Sequence, residues 1–451
     1  MPVWAHDITA LLQAFETRAT TPSLVVTALQ ARIERLDPHL NAYCALSRDL
    51  HDAARAATDR WARGTPVGPL DGVPVIVKDN LVAAGLSAAW GNPALAQRIC
   101  AHDEAPVARL RAAGALIIGK GNTPEFSLEG FTDNRTFGTT CNPFDTDLTP
   151  GGSSGGVVAA IAAGLAFAGI GTDGGGSIRR PVGYTGLIGL KPGIGHVARA
   201  GGLAQILLDF EVVGPITRSL RDARLLDSIL SDMALRPPAV CAPARILAVP
   251  ILDNAPCDPV ILRAFNATVT TLRDQGHDVV IGQLPYDLTK MNTGWGRVGE
   301  IGLASYFGRD PEVAQTAAPK YREMAARGAQ ASATELYAVL DAVYALRNAS
   351  RQLWGHDAIL MPASAANPWP AGESHPPRIA GQDVGPRGHA VYTGWVNAAG
   401  LPAIGFPATV PEGLPIGMQL VGPMQSEIWL MDLIAPILAP FRWPALATAP
   451  E

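Results

Sequence analysis

The sequence predicts an α/β fold, a large, mostly parallel mixed sheet covered by helices on both faces. Three observations predict it. Short β-branched or apolar runs alternate with longer amphipathic segments along most of the chain, and glycines stand where those segments stop. The short runs are continuously apolar, as strands covered on both faces are. And a chain of 451 residues, 48% hydrophobic and 17% charged, carries enough apolar material for an extensive core.

Residues 1–65 read as a helical lead-in. Ile8, Leu11, Leu12 and Phe15 recur at helical spacing, and Thr21-Pro22 has the form of a cap followed by a first-turn proline. Residues 73–77 predict a strand. Asp103 is then expected to cap a helix running to Ala113, with Gly114 ending it before a strand at 115–118. The next strand is expected at 165–170 and another at 246–250. A helix follows at 259–273, stopped by Gly276 ahead of a strand at 279–281. Ser332 and Glu335 form a capping box opening a helix toward Trp354, after which 358–361 reads as a buried strand. No internal repeat or low-complexity linker appears, and the Pro- and Gly-rich stretches 236–243 and 367–386 are the candidate boundaries or mobile loops. One domain over 1–451 is expected: the lead-in, a core at 66–230, a more variable region at 231–390 and a return to the core at 391–451.

Composition narrows the function. With 35 basic and 40 acidic residues the net charge is −5, and no run of lysines or arginines offers a phosphate footprint, which argues against nucleic acid as a partner. Cys44, Cys100, Cys141, Cys241 and Cys257 are scattered, with no C-x-x-C pair, so neither a disulfide framework nor a zinc knuckle is indicated and a reducing compartment fits. The N-terminus carries Asp7 and Glu16 rather than a signal-peptide pattern, and the longest apolar stretch, 157–170, is too short to span a bilayer. The expectation is a soluble cytoplasmic protein acting on small molecules, without membrane contact, as a monomer or homodimer.

The chemistry concentrates in two glycine-cradled serines 24 residues apart. These are Ser153 in Pro150-Gly-Gly-Ser-Ser-Gly-Gly156 and Ser177 in Gly171-Thr-Asp-Gly-Gly-Gly-Ser-Ile-Arg179. Upstream, Lys78 ends the β-branched run. Taken singly, each has a plain structural use: a flexible connection, a turn, an edge lysine paired with Asp79. Together they suit acyl transfer. A serine hydroxyl is a poor nucleophile unless a base takes its proton, and a lysine serves as base only when burial brings its pKa toward neutrality. The second serine can relay the proton between them. Such a site requires no metal, no cofactor and no histidine.

These residues resemble the amidase signature enzymes. The likeness is densest in Pro69-Leu-Asp-Gly-Val-Pro-Val-Ile-Val-Lys-Asp79, Gly119-Lys-Gly-Asn-Thr-Pro-Glu-Phe126, the two serine loops and Gly186-Leu-Ile-Gly-Leu-Lys-Pro192. It returns at Asn397-Ala-Ala-Gly-Leu-Pro-Ala403 and Gly413-Leu-Pro-Ile-Gly-Met-Gln419. The resemblance implies the amidase signature fold and a Ser–cis-Ser–Lys triad: Ser177 as nucleophile, Ser153 as relay and Lys78 as base and then acid, with a cis peptide at Gly152–Ser153. It further implies that Ser154 holds Lys78 and that the backbone N–H groups of Gly174, Gly175, Gly176 and Ser177 form the oxyanion hole. An acyl-enzyme would release its acid to water, from an amide and also from a carbamate or ester. Arg179 and Arg180 are candidates to bind a substrate carboxylate. Gly174 stands where the family usually has a larger residue, Val157 and Ala198 replace serines, and His196 replaces an arginine.

Three other readings use overlapping residues. Gly169-Ile-Gly-Thr-Asp-Gly174 matches a dinucleotide fingerprint, but Pro181, Gly183 and Gly186 follow where a helix should open, and no acidic residue lies between Asp173 and Asp209 to hold a ribose. Gly152-Ser-Ser-Gly-Gly156 matches G-x-S-x-G, the nucleophile elbow of an α/β-hydrolase esterase acting through Ser154 and a histidine: His196, His277, His356, His375 or His389. An amidotransferase A-type subunit, releasing ammonia for a partner protein, shares the amidase motifs. Trp295, Tyr306, Phe307 and the segment 367–395 are candidate pocket walls.

Overall fold

The structure, a computed structural model, describes residues 2–408 and 413–439. Eleven strands among the described residues form one sheet. They are Tyr43–Leu46 (β1), Pro74–Lys78 (β2), Leu116–Gly121 (β3), Ala168–Asp173 (β4), Ile188–Lys191 (β5), Val212–Thr217 (β6), Arg245–Ala248 (β7), Asp278–Ile281 (β8), Ala358–Pro362 (β9), Ala403–Ala408 (β10) and Ile416–Val421 (β11). Their spatial order is β1-β3-β2-β4-β6-β5-β10-β11-β9-β7-β8. This is the large mixed sheet expected, with helices packed against it. Its parallel pairing lies in two runs, β3-β2-β4 and β9-β7-β8. The strands between them pair antiparallel, as does β1 on β3.

Local signals account for many of the elements. Asp7 accepts from Ala10 N at 3.0 Å to cap Ile8–Glu16. Thr21 caps Pro22–Leu40, and Ser332 with Glu335 forms the full capping box of Ala333–Ser350. Pro259–Asp274 stops just before Gly276. Other expectations need correction. β1 lies inside the segment read as wholly helical. Asp103 caps no helix: its carboxylate accepts from Ala84 N at 2.8 Å, and Glu104 precedes the helix Ala105–Ala112. The segment 367–386 is tied down, since Thr149 N donates to Trp369 O at 2.8 Å and Asp258 accepts from both Asn367 N and Ala380 N. Residues 409–412 and 440–451 of the 391–451 segment lie outside the described residues.

Two apolar clusters cover the sheet, one drawn from residues 8–230 and the other from 188–437. The first contains the helix Gly155–Ala162, every residue of which is buried. β2 and β4 run parallel, so their carboxyl ends lie side by side, and open α/β sheets place their sites at such strand ends. Lys78 closes β2 and Asp173 closes β4. Among the described residues no helix is long and apolar enough to cross a membrane.

Candidate active site

Lys78 is fully buried at the end of β2, on a strand with no exposed residue. Its Nζ lies 2.7 Å from Ser153 Oγ, 2.8 Å from Thr172 Oγ1 and 3.3 Å from Thr172 O. No carboxylate forms an ion pair with it among the described residues. Burial pushes its pKa down to about 7, against the pull of the Glu211 and Asp173 carboxylates and with the help of the Arg199 and Arg180 cations.

Ser153 is also fully buried, and the Gly152–Ser153 peptide is cis. Gly152 admits no side chain, because a Cβ there would sit 2.5 Å from Phe131 O. Thr123 Oγ1 donates to Ser153 O at 2.8 Å. Ser154 N donates to Ser177 O at 3.3 Å, which ties the two serine loops together.

Ser177 stands just before the helix Arg179–Thr185. At 6% exposure it is the accessible member of a trio whose other two are at 0%. Asp173 shapes its turn, accepting from Gly176 N at 2.7 Å, Ile178 N at 3.0 Å and Arg179 N at 3.3 Å. Arg179 completes the clasp through Nε at 3.1 Å and Nη2 at 2.9 Å. Burial pushes the Asp173 carboxyl up, but the Arg179 guanidinium, with Lys191 and the Ile178 N–H, outweighs it and holds the group well below the usual carboxylate range. Gly176 has φ +114, which side-chain-bearing residues rarely adopt. A Cβ on Gly175 would meet nothing within 4 Å, so the turn is open on that side.

The geometry changes several expected roles. The Gly176 N–H donates to Asp173, whereas the N–H groups of Gly174, Gly175 and Ser177 meet no acceptor among the described residues. Ser154 does not touch Lys78. Its hydroxyl donates to Thr172 O at 3.4 Å, the carbonyl that Lys78 also reaches. Arg179 is spent inside the protein, reaching Gln419 Oε1 at 2.8 Å and Asn397 Oδ1 at 2.5 Å besides Asp173. Arg180 differs: Nη1 donates to Thr393 Oγ1 at 2.8 Å and to the Gly175 carbonyl, Nε has no partner, and no carboxylate pairs with it among the described residues. Burial lowers its pKa to about 10.

No described hydrogen bond joins a histidine to Ser153, Ser154 or Ser177, so the esterase reading through Ser154 gains no support from the hydrogen bonding. His196 instead bridges Asp227 at 2.9 Å and Glu427 at 3.4 Å. Trp295 packs on Phe210, with ring centroids 4.8 Å apart. Tyr306 and Phe307 stack with Trp90 and Phe126 in a third apolar cluster. Leu207 and Leu128, at the edge of that cluster, are partly exposed, and Leu207 Cδ1 lies 2.6 Å from where a Gly174 Cβ would be. In this chain Leu207 occupies the space a larger residue at 174 would need. Sequence reasoning missed Thr172, the principal partner of Lys78 besides Ser153, although it lies within the motif Gly171-Thr-Asp. Extending the expected strand from 170 to Asp173 would have set it beside the end of β2.

Comparison with known proteins gives a consistent result. The sequence model of the amidase family matches residues 24–431. The A subunit of glutamyl-tRNA(Gln) amidotransferase from Heliobacterium modesticaldum is 30% identical over 473 residues, covering 95% of each chain. The AmiB2 protein of Mycobacterium bovis is 34% identical over 453 residues, 94% of this chain and 93% of its own. Among solved structures, an amidase superposes with a TM-score of 0.88 at 28% identity, covering 96% of this chain and 99% of that one. A bacterial aryl acylamidase of the amidase signature enzymes superposes at 0.87 with 25% identity, covering 98% of both.

Proposed function

The chain belongs to the amidase family, hydrolases of carbon–nitrogen bonds other than peptide bonds, and on that premise we propose that it cleaves a small carboxylic amide through a seryl acyl-enzyme. The observation that carries this reading is Lys78: a buried amine, free of any described ion pair, held 2.7 Å from the Ser153 hydroxyl and brought down to about 7. Near neutral pH a fraction of that amine is unprotonated and able to accept.

The proposed cycle moves every proton through three side chains. As Ser177 Oγ attacks the carbonyl carbon, its proton passes to Ser153, whose own proton passes to neutral Lys78. The tetrahedral oxyanion accepts from the N–H groups of Gly174, Gly175 and Ser177. Lys78 then returns the proton through Ser153 to the leaving nitrogen, the C–N bond breaks and the amine departs. Water then attacks the acyl carbon, giving up a proton through Ser153 to Lys78; the bond to Ser177 Oγ breaks, the proton returns by the same route to Ser177 Oγ, and the acid is freed. Carbamates and esters present the same carbonyl. Leu207, packed against Gly174, favours apolar aryl or alkyl groups. If a substrate carries a carboxylate, Arg180 rather than Arg179 is the residue to meet it.

The test is activity profiling of wild type and Ser177→Ala on a panel of small amides, anilides, carbamates and esters. Ser177→Ala is expected to lose on the order of 10⁴-fold or more on the best substrate, and full retained activity would overturn the reading. A second reading has one observation in its favour, the similarity to the amidotransferase protein across 95% of each chain. There the amine released is ammonia, passed to a partner protein. Copurification with a second protein that raises glutaminase activity would support that reading.

A further inference from the structure

All three direct partners of the Lys78 amine are neutral oxygens, yet a carboxylate stands one side chain behind them. Asn80 Nδ2 lies 3.0 Å from Thr172 Oγ1 and 3.5 Å from Glu211 Oε1. Arg199 Nη1 donates to the same Glu211 oxygen at 2.6 Å, while its Nε reaches Glu104 Oε1 at 3.2 Å. Glu104 is in turn fixed by the Val82 N–H at 3.0 Å. A continuous polar chain therefore runs from Lys78 through Thr172, Asn80, Glu211 and Arg199 to Glu104. The Arg199 and Glu211 side chains are only 10% and 13% exposed, so water screens their charges little. Glu211 also touches the other half of the site, since a Cβ on Gly174 would lie 3.4 Å from Glu211 Cβ.

Resting on the Lys78 reading above, we infer that Glu211, clamped by Arg199, is a positioning residue for the reaction: it supplies the distant, partly balanced negative charge against which Lys78 holds the relayed proton. The distance matters. A carboxylate paired directly with the amine would keep it charged and unable to act as base. With no carboxylate nearby, the ammonium would be too weakly held to carry a proton from the attacking serine to the leaving nitrogen. Of the charged groups facing Lys78, Glu211 and Asp173 favour its protonated form, and Arg199 and Arg180 oppose it. Asp173 is already engaged by Arg179 and three backbone N–H groups, which leaves Glu211 as the adjustable contributor. A merely structural Arg199–Glu211 pair would join two loops and leave the pH dependence alone.

The experiment is the pH profile of kcat/KM on the best amide substrate for wild type, Glu211→Gln, Glu211→Asp and Arg199→Gln, with Lys78→Ala in parallel. Gln keeps an oxygen for Asn80 but no charge, so the acidic limb in Glu211→Gln should move to lower pH by about one unit. Glu211→Asp should restore it toward the wild-type position, and Arg199→Gln should move it upward. An active Glu211→Gln with an unmoved limb overturns the inference. Should circular dichroism find Glu211→Gln unfolded, Arg199→Gln decides by its upward shift, and if both are unfolded the pair is structural and the inference falls. Lys78→Ala separates the two levels. If it keeps wild-type activity the triad reading fails, whereas an inactive Lys78→Ala beside an unmoved Glu211→Gln limb removes this inference alone.

Discussion

Lys78 and Lys191 make a natural pair. Each is fully buried at the end of a strand of the same sheet, β2 in one case and β5 in the other. Each is pushed down to about 7 by burial, and each feels the Asp173 carboxylate. They differ in what the nitrogen touches. Lys78 meets the Ser153 hydroxyl at 2.7 Å and both oxygens of Thr172. Among the described residues Lys191 donates only to the carbonyl of its neighbour Pro192, at 2.9 Å. A carbonyl accepts a proton contact but has no proton to give, whereas a hydroxyl does both. Desolvation alone thus favours a neutral amine, and under the proposed mechanism the hydroxyl in line with it is what would make Lys78 a base.

The largest effect expected from this contrast is on turnover. Lys78→Ala should lower kcat/KM on amides by on the order of 10³–10⁴-fold, with a smaller loss on a matched ester, whose leaving group needs protonation less. Lys191→Met touches no reacting atom and should stay within about threefold of wild type. Steady-state kinetics on one amide and its ester analogue check both. A Lys191→Met loss as deep as that of Lys78→Ala would break the contrast, and equal Lys78→Ala losses on amide and ester would remove the acid role.

The second effect concerns the carboxylate common to both lysines. Asp173 and Arg179 are each 0% exposed and form an ion pair at 2.9 Å. Asp173→Asn leaves the Arg179 charge without a counterion, and removing one partner of a buried pair costs about 3–5 kcal/mol. Chemical denaturation should register that loss. The turn before Ser177 also loses the charge that gathers the N–H groups of Gly176, Ile178 and Arg179, so activity should fall even where the variant remains folded. A variant as stable as wild type would show that Gln419 and Asn397 suffice to hold Arg179.

How much of this was legible in the sequence depends on the range of each interaction. Lys78, Ser153 and Ser177 stood out because glycine density and a β-branched run are local signals. The capture of the Gly176 N–H by Asp173 is equally local, a side chain reaching a backbone N–H three residues on, and could have been read. Asn80, Glu211 and Arg199 could not. Asn80 and Glu211 are separated by 131 positions, and only the packing of β6 against β4 brings Glu211 near the turn. The same limit applies to the fold. Strands at the parallel ends of the sheet announced themselves as apolar runs. By contrast β5, β6, β10 and β11 are defined by antiparallel partners, several of them distant in sequence.

The smallest effect, and the sharpest for the comparison, is on the pH dependence of stability. Folding lowers the proton affinity of Lys191 from about 10.5 to about 7, so between those values the native state binds fewer protons than the unfolded chain. Its contribution to stability is therefore undiminished above the unfolded value, declines as the pH falls through that window and levels off below about 7. Methionine fills a similar volume and has no such dependence. Lys191→Met should match wild type near pH 10 and gain on it as the pH falls, by about 1.4 kcal/mol for each pH unit inside that window, with no further gain below about pH 7. Lys78 imposes the same slope on both proteins, so the variant should retain part of the wild-type decline. Urea denaturation at pH 6, 8 and 9.5 reads the difference. A gap that does not change with pH, or a variant less stable than wild type at pH 6, would mean that the Lys191 amine is held as a cation, and the likeness between the two lysines would end at their burial.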